Sequence, residues 1–538
     1  MKIAIAQINS FLGAFEANRK KIEAFCKKAE KHSCDLIIFP ESALFGYHPV
    51  DLLERPSIVD AQLRELKKLQ KKIPKNLKVL VGAITHNPKS NGKPFLNAAV
   101  LLSKNKSPKI FAKELLPTYD VFDEGRHIQP GDLSKNIFSF KGKKILVTIC
   151  EDIWAWTLPG QKHSNYAQNP LLKIKPGNVD LVVNLSASPF TDKKMKWRQF
   201  VTSKTATHFK APLIYVNMVG AQDEIIFDGA SLFTSKKGQL LQQCERFQED
   251  FQVIEPFSSP VPQKRHQPNV HHLRKDAILL GISDFLKKTG LSQVHLGLSG
   301  GLDSALVACL ATEALGPQKV TAFALPGPYS SSQSLRLARK LAKNLKISFL
   351  KIEITSTYKH LLAVLEKTLG SIPFGTVQEN LQARLRALCL MAYANKNNSL
   401  LLNTSNKSEM ATGYTTLYGD LCGGLCPIGD LLKTEVKQMA KTIYAHVIPQ
   451  EIISRPPSAE LRPHQKDTDS LPPYPILDPI VEKLVENYKG THTSTGRQVL
   501  KMLMKSEFKR WQAPPILKIS NHAFGRGRRF PIASKAIF

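Results

Sequence analysis

The run 298–304, Leu-Ser-Gly-Gly-Leu-Asp-Ser, constrains the fold of this chain more than any other feature of its sequence. An apolar stretch, 294–298, leads into it, and a helix-forming stretch, 305–311, follows it. Adjacent glycines let the backbone approach a ligand closely, and the N–H groups of such a turn bind anions together with the helix dipole. Asp303 supplies a carboxylate of the kind that holds Mg²⁺ beside phosphates. The pattern therefore predicts a phosphate site between a strand and a helix.

This run differs from a Walker loop because no Gly-Lys-Ser/Thr closes it. It resembles the Ser-Gly-Gly-x-Asp-Ser loop of the ATP pyrophosphatases, which cleave ATP to AMP and pyrophosphate. The alternative is a glycine-rich turn without a ligand, which the flanking serines and aspartate disfavour. The resemblance implies a Rossmann-like parallel sheet for the C-terminal half of the chain. It also implies an ATP-binding segment that consists of Gly297, Leu298, Ser299, Gly300, Gly301, Leu302, Asp303 and Ser304.

The composition is that of a globular protein without a membrane span. The chain has 538 residues, of which 42% are hydrophobic, and no apolar run approaches the ~20 residues that cross a bilayer. No signal region with a cleavage site is recognisable, so we expect a cytoplasmic protein whose eight cysteines are reduced. The net charge of +31 allows nucleic-acid binding as an alternative, but the lysines are spread along the chain. We expect neither a nucleic-acid partner nor a membrane partner.

Apolar runs alternate with amphipathic segments in both halves of the chain, which is typical of α/β folds. Helical periodicity covers 18–31, 61–72 and 378–393, the last with Leu381, Leu385 and Leu388 predicted on one face. The predicted strands are 3–8, 36–39, 79–84, 98–102, 145–149, 181–185 and 213–217, and then 294–298, 320–325, 347–352 and 400–403.

A polar stretch with prolines, 258–267, interrupts this alternation and predicts a linker. We therefore predict three segments. The first is a domain at 1–255, the second a linker at 256–274, and the third a domain at 275–538.

Three residues with reactive side chains stand at or just beyond the ends of apolar runs in the first domain. They are Glu41, Lys113 and Cys150. A thiol needs a base to become a nucleophile at neutral pH, and a carboxylate in an apolar site can serve as that base. A lysine nearby would stabilise a developing oxyanion. Taken singly, Cys150 suits a buried core position, Glu41 a helix cap and Lys113 a surface charge.

Together these residues resemble the Glu-Lys-Cys triad of the nitrilase superfamily. The matching pieces are Phe-Pro-Glu at 39–41, Lys-Glu-Leu-Leu-Pro at 113–117 and Cys-Glu-Asp-Ile-Trp at 150–154. The resemblance covers roughly residues 1–250 and implies an α-β-β-α sandwich. It also implies cleavage of carbon–nitrogen bonds through a thioester, with Glu41, Lys113 and Cys150 as the catalytic residues.

Two further segments resemble those of glutamine amidases. The loop 117–124 follows the lysine, and the run 184–190 has a lysine shortly after it. The resemblance implies that Tyr119, Ser188 and Lys194 bind glutamine. The alternatives are a strand-end turn for Ser188 and a surface charge for Lys194.

Most of the segment 275–538 resembles NAD⁺ synthetases. Together with the nitrilase-like first half, the whole chain resembles the glutamine-dependent NAD⁺ synthetase family. The matching runs are 378–384, 403–409, 413–420, 427–434, 455–461, 465–474 and 513–520. The resemblance implies that Thr404 contacts ATP and that Asn380, Glu409 and Lys518 contact deamido-NAD⁺, with Asp303 and Glu409 as ligands of Mg²⁺. Alternatively, Thr404 caps a helix, Asn380 is a surface polar residue and Lys518 is a solvated charge.

This resemblance implies ATP-dependent amidation of deamido-NAD⁺ to NAD⁺ by ammonia from glutamine, with glutamate, AMP and pyrophosphate as the other products. The alternative is a glutamine-dependent ligase that amidates another acyl-adenylate. The expected partners are these small molecules and Mg²⁺. Free ammonia is mostly protonated at neutral pH, so a closed channel between the two sites is expected. We expect such a channel to need subunit contacts, and hence a homo-oligomer.

Overall fold

The computed structural model describes residues 1–258 and 268–534. The chain divides into two compact units, Met1–Gln267 and Pro268–Phe538. Residues 259–267 of the predicted linker lie outside the described residues, and its last residues, 270–274, belong to a helix that begins at Val270. The domain boundaries at 255 and 275 stay predictions.

Two six-stranded sheets form the frame of unit 1. In spatial order, the first contains β14 (Asp250–Ile254), β1 (Ile3–Gln7), β2 (Leu36–Ile38), β3 (Lys78–His86), β4 (Phe95–Leu102) and β5 (Lys109–Ala112). The second contains β13 (Leu240–Gln243), β12 (Leu232–Thr234), β9 (Leu213–Asn217), β8 (Leu181–Ser186), β7 (Lys143–Ile149) and β6 (Ile137–Phe140). The central pairs β1–β2, β2–β3, β7–β8 and β8–β9 are parallel.

The sheets pack face to face, because side chains of one face of each strand enter a shared core. Ile5 of β1, Val147 of β7 and Ile214 of β9 belong to the same buried cluster. Successive side chains of a strand point to opposite faces. Ala4 and Ala6 of β1 therefore belong to a different cluster, with two outer helices. The central strands β1, β2, β8 and β9 are buried on both faces, which explains their nearly continuous apolar runs.

Three long helices cover the outer faces of the sheets. They are α1 (Phe15–Lys31), α2 (Pro56–Lys72) and α3 (Lys194–Phe209). The helices α1 and α2 pack on the first sheet and α3 on the second. A two-stranded hairpin, β10 (Val219–Gln222) and β11 (Ile225–Asp228), completes the strands. The predicted α-β-β-α sandwich is thereby confirmed.

Unit 2 is built on a four-stranded parallel sheet, which confirms the predicted Rossmann-like architecture. Its spatial order is β17 (Ser348–Lys351), β16 (Val320–Ala324), β15 (Val294–Gly297) and β18 (Leu400–Leu401). The helices are α4 (Val270–Thr289), α5 (Leu302–Leu315), α6 (Ser332–Leu345), α7 (Thr355–Leu369), α8 (Thr376–Asn397), α9 (Lys407–Thr412), α10 (Lys433–Ile443), α11 (Gln450–Ser454), α12 (Tyr474–Val481), α13 (Ser494–Lys505) and α14 (Glu507–Arg510).

The predicted apolar face of α8 is partly wrong. Leu385 is buried, whereas Leu388 is 65% exposed. The buried side of the helix carries Gln382, Ala383 and Ala387 beside Leu385 and Leu390, so small and polar residues share the packed positions with leucine. Within the two described segments, no helix is long and apolar enough to cross a membrane.

Truncating a side chain between the two sheets of unit 1 tests the sandwich. Ile214→Ala should lower the free energy of unfolding by about 2–5 kcal/mol, because it leaves a cavity in a core that cannot fully collapse. Urea unfolding followed by tryptophan fluorescence measures this, since Trp154, Trp156 and Trp197 all lie in unit 1.

The matched control is Ile110→Ala on the edge strand β5, where the side chain is 52% exposed. Its effect should stay within about 0.5 kcal/mol. Equal losses for the two variants would contradict the assignment of Ile214 to a packed core.

Candidate active sites

Three predicted catalytic residues of unit 1 stand just beyond strand ends in the two sheets. Glu41 follows β2, Lys113 follows β5 directly, and Cys150 follows β7 directly. Cys150 opens a short 3₁₀ turn, Cys150–Ile153, with a φ of 39°. Left-handed backbone at a non-glycine residue is unfavourable and concentrates at functional sites.

A buried ion-pair cluster surrounds Lys113. Its Nζ lies 2.7 Å from Glu41 Oε1 and 2.8 Å from Glu124 Oε1. Asn97 Nδ2 donates to Glu41 Oε1 at 2.7 Å, and the backbone N–H of Ala187 donates to Glu41 Oε2 at 2.9 Å. Glu41 and Lys113 are fully buried, which excludes a surface charge for Lys113. Every oxygen of Glu41 is thus held by a donor.

Burial shifts the pKa values of all three groups. It raises the pKa of Glu41, and the Lys113 charge opposes this shift. Burial also raises the pKa of the Cys150 thiol well above its usual value, with a further contribution from the charge of Glu41. For Lys113, burial lowers the pKa, but the carboxylates of Glu124 and Glu41 outweigh it, and the net pKa lies well above the usual range. Lys113 therefore stays protonated at neutral pH.

Sequence reasoning missed Glu124, Asn97 and Asp152 as site residues. Glu124 lies in a short 3₁₀ turn, Glu124–Arg126, where no apolar periodicity marks it. In the sequence, Glu124 is marked as a possible site residue only by its position at the end of the loop 117–124, which resembles a loop of glutamine amidases. Asn97 lies within β4, where a polar residue inside an apolar strand was the available signal. Asp152 adjoins Cys150 in sequence but had no predicted role.

Two of the predicted glutamine ligands lie beside this cluster. Ser188 follows Ala187, whose N–H binds Glu41. The carbonyl oxygen of Ser188 accepts a hydrogen bond from Arg198 Nη2 at 2.7 Å. Tyr119 donates its hydroxyl to Glu151 Oε1 at 2.8 Å, and Glu151 adjoins Cys150. Both residues are therefore close in the fold to the predicted catalytic groups.

The third predicted glutamine ligand, Lys194, lies at the start of α3. Its Nζ stands 4.1 Å from the ring centroid of Trp154, the residue that ends the 3₁₀ turn of Cys150. This cation–π contact ties its ammonium to the Cys150 turn. Unit 1 thus brings the predicted glutamine ligands close to the Cys150 turn, at the carboxyl end of β7.

In unit 2, the glycine-rich loop joins β15 to α5 as predicted. Gly300 has a φ of 80°, and a Cβ there would lie 2.4 Å from the carbonyl oxygen of Ser334, so only glycine fits. The hydroxyls of Ser299 and Ser304 lie 3.1 Å apart, and Gly301 N donates to Ser299 Oγ at 3.2 Å. The loop is therefore a compact turn at a helix N-terminus.

The predicted metal ligands Asp303 and Glu409 meet around one lysine. Lys433 Nζ is ion-paired with Asp303 and lies 3.5 Å from Glu409 Oε1. Asn406 links the same two residues, since its Nδ2 donates to Asp303 Oδ1 at 2.9 Å and its Oδ1 accepts from Glu409 N at 3.0 Å. Burial raises the pKa of Glu409 to about 8, against the Lys433 charge.

This donor set fits Mg²⁺, because the ion prefers carboxyl oxygens and Asp303 and Glu409 both offer them around Lys433. Asp467 adds a third carboxylate that acts on Glu409 electrostatically. Asp303 and Glu409 are the residues that would hold the ion. Lys433 lies in the run 427–434 that resembles NAD⁺ synthetases, but the sequence predicted no role for it.

The remaining predicted ligands of unit 2 make other contacts. Asn406, not Thr404, caps α9, so the capping interpretation of Thr404 is wrong. Asn380 Oδ1 accepts a hydrogen bond from Thr416 Oγ1 at 2.8 Å. Lys518 is buried and its Nζ donates to the carbonyl oxygen of Ser520 at 2.9 Å, which excludes a solvated charge. The roles of these residues stay predictions.

Comparison with known proteins assigns both units. The carbon-nitrogen hydrolase family matches residues 2–255, and the NAD synthase family matches residues 275–513. The glutamine-dependent NAD(+) synthetase of Synechocystis sp. is 43% identical over 99% of this chain and 98% of its own length. That of Thermotoga maritima is 35% identical, with 99% of both chains covered.

Solved structures agree with this assignment. The glutamine-dependent NAD+ synthetase from Acinetobacter baumannii, in complex with adenosine diphosphate, has 32% identity and a TM-score of 0.78, over 99% of this chain and 98% of its own. The synthetase from Cytophaga hutchinsonii shares the fold with a TM-score of 0.82, at 19% identity and the same coverage. The chain belongs to the glutamine-dependent NAD(+) synthetase family.

Proposed function

We propose that this protein amidates deamido-NAD⁺ to NAD⁺, using ATP and ammonia released from glutamine. The observation that carries the proposal is one chain with two reactive centres, the Glu41–Lys113–Cys150 site and the Asp303–Glu409 site beside a pyrophosphatase-type loop. The names of the full-length relatives support the same reaction. The alternative acceptor, another acyl-adenylate, has no support among those relatives.

Glutamine hydrolysis would begin with proton transfer from Cys150 to Glu41. The resulting thiolate attacks the side-chain amide carbon, and the Lys113 ammonium stabilises the oxyanion that forms. Glu41 returns the proton to the leaving nitrogen, so that ammonia departs and a thioester remains on Cys150. Water then attacks the thioester and Glu41 accepts its proton. The C–S bond breaks, glutamate is released, and Glu41 returns the proton to the sulfur of Cys150.

Charge complementarity supports the proposed glutamine ligands. Glutamine carries an α-carboxylate and an α-ammonium group. Lys194, held over Trp154, matches the carboxylate. Glu151, which accepts hydrogen bonds from Tyr119 and Tyr166, matches the ammonium. Tyr119 thereby orients Glu151 and lines the same site.

In unit 2, the turn 297–304 would bind the phosphates of ATP through its backbone N–H groups and the N-terminus of α5. Lys433 would contact the same phosphates. Mg²⁺ held by Asp303 and Glu409 would neutralise phosphate charge there. The nicotinate carboxylate of deamido-NAD⁺ attacks the α-phosphate, pyrophosphate leaves along the turn, and ammonia then displaces AMP. Asn380 and Lys518 are the proposed ligands of the dinucleotide, and Thr404 of ATP.

We further propose that the protein is a cytoplasmic homo-oligomer. Ammonia reacts only as the free base, so a closed route from Cys150 to unit 2 would keep it from protonation by water. Subunit contacts would complete such a route.

Isotope transfer tests the whole reaction. With ATP, Mg²⁺, deamido-NAD⁺ and glutamine labelled with ¹⁵N at the amide, mass spectrometry should find labelled NAD⁺, glutamate and AMP. Cys150→Ala should lower glutamine-driven synthesis by more than about a thousandfold, because it removes the nucleophile. Synthesis from added ammonia should persist.

Cys34→Ala, another buried cysteine of unit 1, is the matched control and should transfer the label normally. Label transfer by Cys150→Ala would refute the role of Cys150. If the unaltered protein releases glutamate but forms no NAD⁺, deamido-NAD⁺ is not the acceptor of the ammonia.

The raised pKa of Glu41 predicts the pH dependence of glutamine hydrolysis. Only the carboxylate form accepts the proton of Cys150, so kcat/KM falls as pH decreases through the raised pKa. The acid limb of glutamate release should therefore lie clearly above ~4.3, the ordinary pKa of glutamic acid. Glu41→Gln should lower kcat/KM by about 10²–10⁴.

Glu16→Gln, at an exposed position of α1, should keep the rate and the profile of the unaltered protein. An acid limb at the ordinary pKa of a glutamic acid would contradict the assignment of Glu41 as the base.

Removing the carboxylate charge of Asp303 tests the second centre. Asp303→Asn should lower NAD⁺ formation from glutamine and from ammonia alike, by about 10² or more. The variant lacks a proposed ligand of Mg²⁺, so the charge of the ATP phosphates is less well neutralised. Glutamine hydrolysis without ATP should continue. Steady-state assays with each nitrogen source, at several Mg²⁺ concentrations, measure this.

Asp276→Asn, which alters an exposed carboxylate of α4, should leave both rates unchanged. A loss confined to the glutamine-driven reaction would show that Asp303 does not serve the ATP site.

A further inference from the structure

Asp152 is a fully buried carboxylate with three backbone donors. Its Oδ1 accepts the N–H of Glu114 at 3.0 Å and of Leu115 at 2.9 Å. Its Oδ2 accepts the N–H of Ile149 at 2.8 Å. Burial raises the pKa of Asp152 to about 7, and the three N–H donors oppose this rise because they stabilise the ionised form.

The three donors come from the two chain segments that carry catalytic groups. Glu114 and Leu115 directly follow Lys113 at the end of β5, whereas Ile149 directly precedes Cys150 at the end of β7. The strands β5 and β7 belong to different sheets. One carboxylate therefore ties the Lys113 segment to the Cys150 segment across the sandwich.

Helix capping does not explain this arrangement. Binding the N–H of Ile149 is sufficient to cap the 3₁₀ turn that Cys150 opens. The two bonds to Glu114 and Leu115 reach 38 and 37 residues back along the chain and add nothing to that turn. They act instead on the position of the neighbouring Lys113.

We propose that Asp152 is a positioning residue that holds the Lys113 ammonium in register with the sulfur of Cys150 during glutamine hydrolysis. This role rests on the proposed function of Lys113 and Cys150. A shift of about 1 Å in a catalytic group lowers rates as much as a hundredfold, so a rigid link between the two segments has a direct kinetic effect.

Asp152→Asn tests the proposal with little change in shape. The amide has a single acceptor oxygen, so it can serve either Glu114 and Leu115 or Ile149, but not both sides. We expect kcat for glutamine hydrolysis to fall about 10- to 100-fold, with KM for glutamine unchanged. Ammonia-driven synthesis should be unaffected. Hydrogen exchange should accelerate at the amides of Glu114 and Leu115 or of Ile149.

Asp180→Asn is the matched control. Asp180 Oδ2 accepts the N–H of Lys144 at 2.8 Å, at the opposite end of β7. The control should change neither kcat nor the hydrogen exchange of the amides of Glu114, Leu115 and Ile149. As a second variant, an ester in place of the Glu114–Leu115 peptide bond removes one donor and leaves Asp152 intact. It should lower kcat in the same direction by a smaller factor, and it replaces Asp152→Asn if that variant does not fold.

Three results would overturn the proposal. They are an unchanged kcat despite faster exchange, a raised KM with kcat unchanged, and an equal fall in ammonia-driven synthesis with a lower melting temperature. The variant Cys150→Ala distinguishes a failure of the proposed function from a failure of the positioning role alone. If Cys150→Ala still releases glutamate, the proposed function fails and the positioning role with it. If Cys150→Ala is inactive while Asp152→Asn is fully active, only the positioning role fails.

Discussion

The architecture of unit 1 depends on one interaction, the buried ion pairing of the Lys113 ammonium with two carboxylates. A buried charge is tolerated only when paired and hydrogen-bonded, because its desolvation costs several kcal/mol. Glu41 and Glu124 supply the pairs from positions 72 and 11 residues away. The ends of β2 and β5 and the turn 124–126 must therefore meet before the lysine can be buried.

Unit 2 repeats this principle around Lys433, where one ammonium again lies between two carboxylates. Lys433 neutralises part of the carboxylate charge of Asp303 and Glu409, and burial keeps the pKa of Glu409 high. Such a cluster favours a further cation. In both units the neighbouring carboxylates raise the pKa of the lysine, so that Lys113 and Lys433 stay protonated. In the proposed reaction, these buried ion pairs would serve proton transfer in the first centre and the binding of a metal nucleotide in the second.

Much of this could be predicted from sequence, for reasons that individual segments make clear. The turn 298–304 combines a buried strand, two glycines and a helix start within a few residues, so local rules suffice. The strands with apolar runs were recognisable for the same reason. The strand β5 was not, because it is short, lies at the edge of its sheet and exposes Ile110. Glu124 was missed because a 3₁₀ turn has no periodic signature.

By itself, the sequence determined the two α/β units, the glycine-rich turn and the reactive residue types, because these follow from periodicity, turn chemistry and resemblance over short stretches. Only the tertiary structure decided which charges share a desolvated site. It placed Glu124 against Lys113, Lys433 between Asp303 and Glu409, and Asp152 across two sheets. Such contacts join segments far apart in the chain, and the packing of sheets and helices sets them.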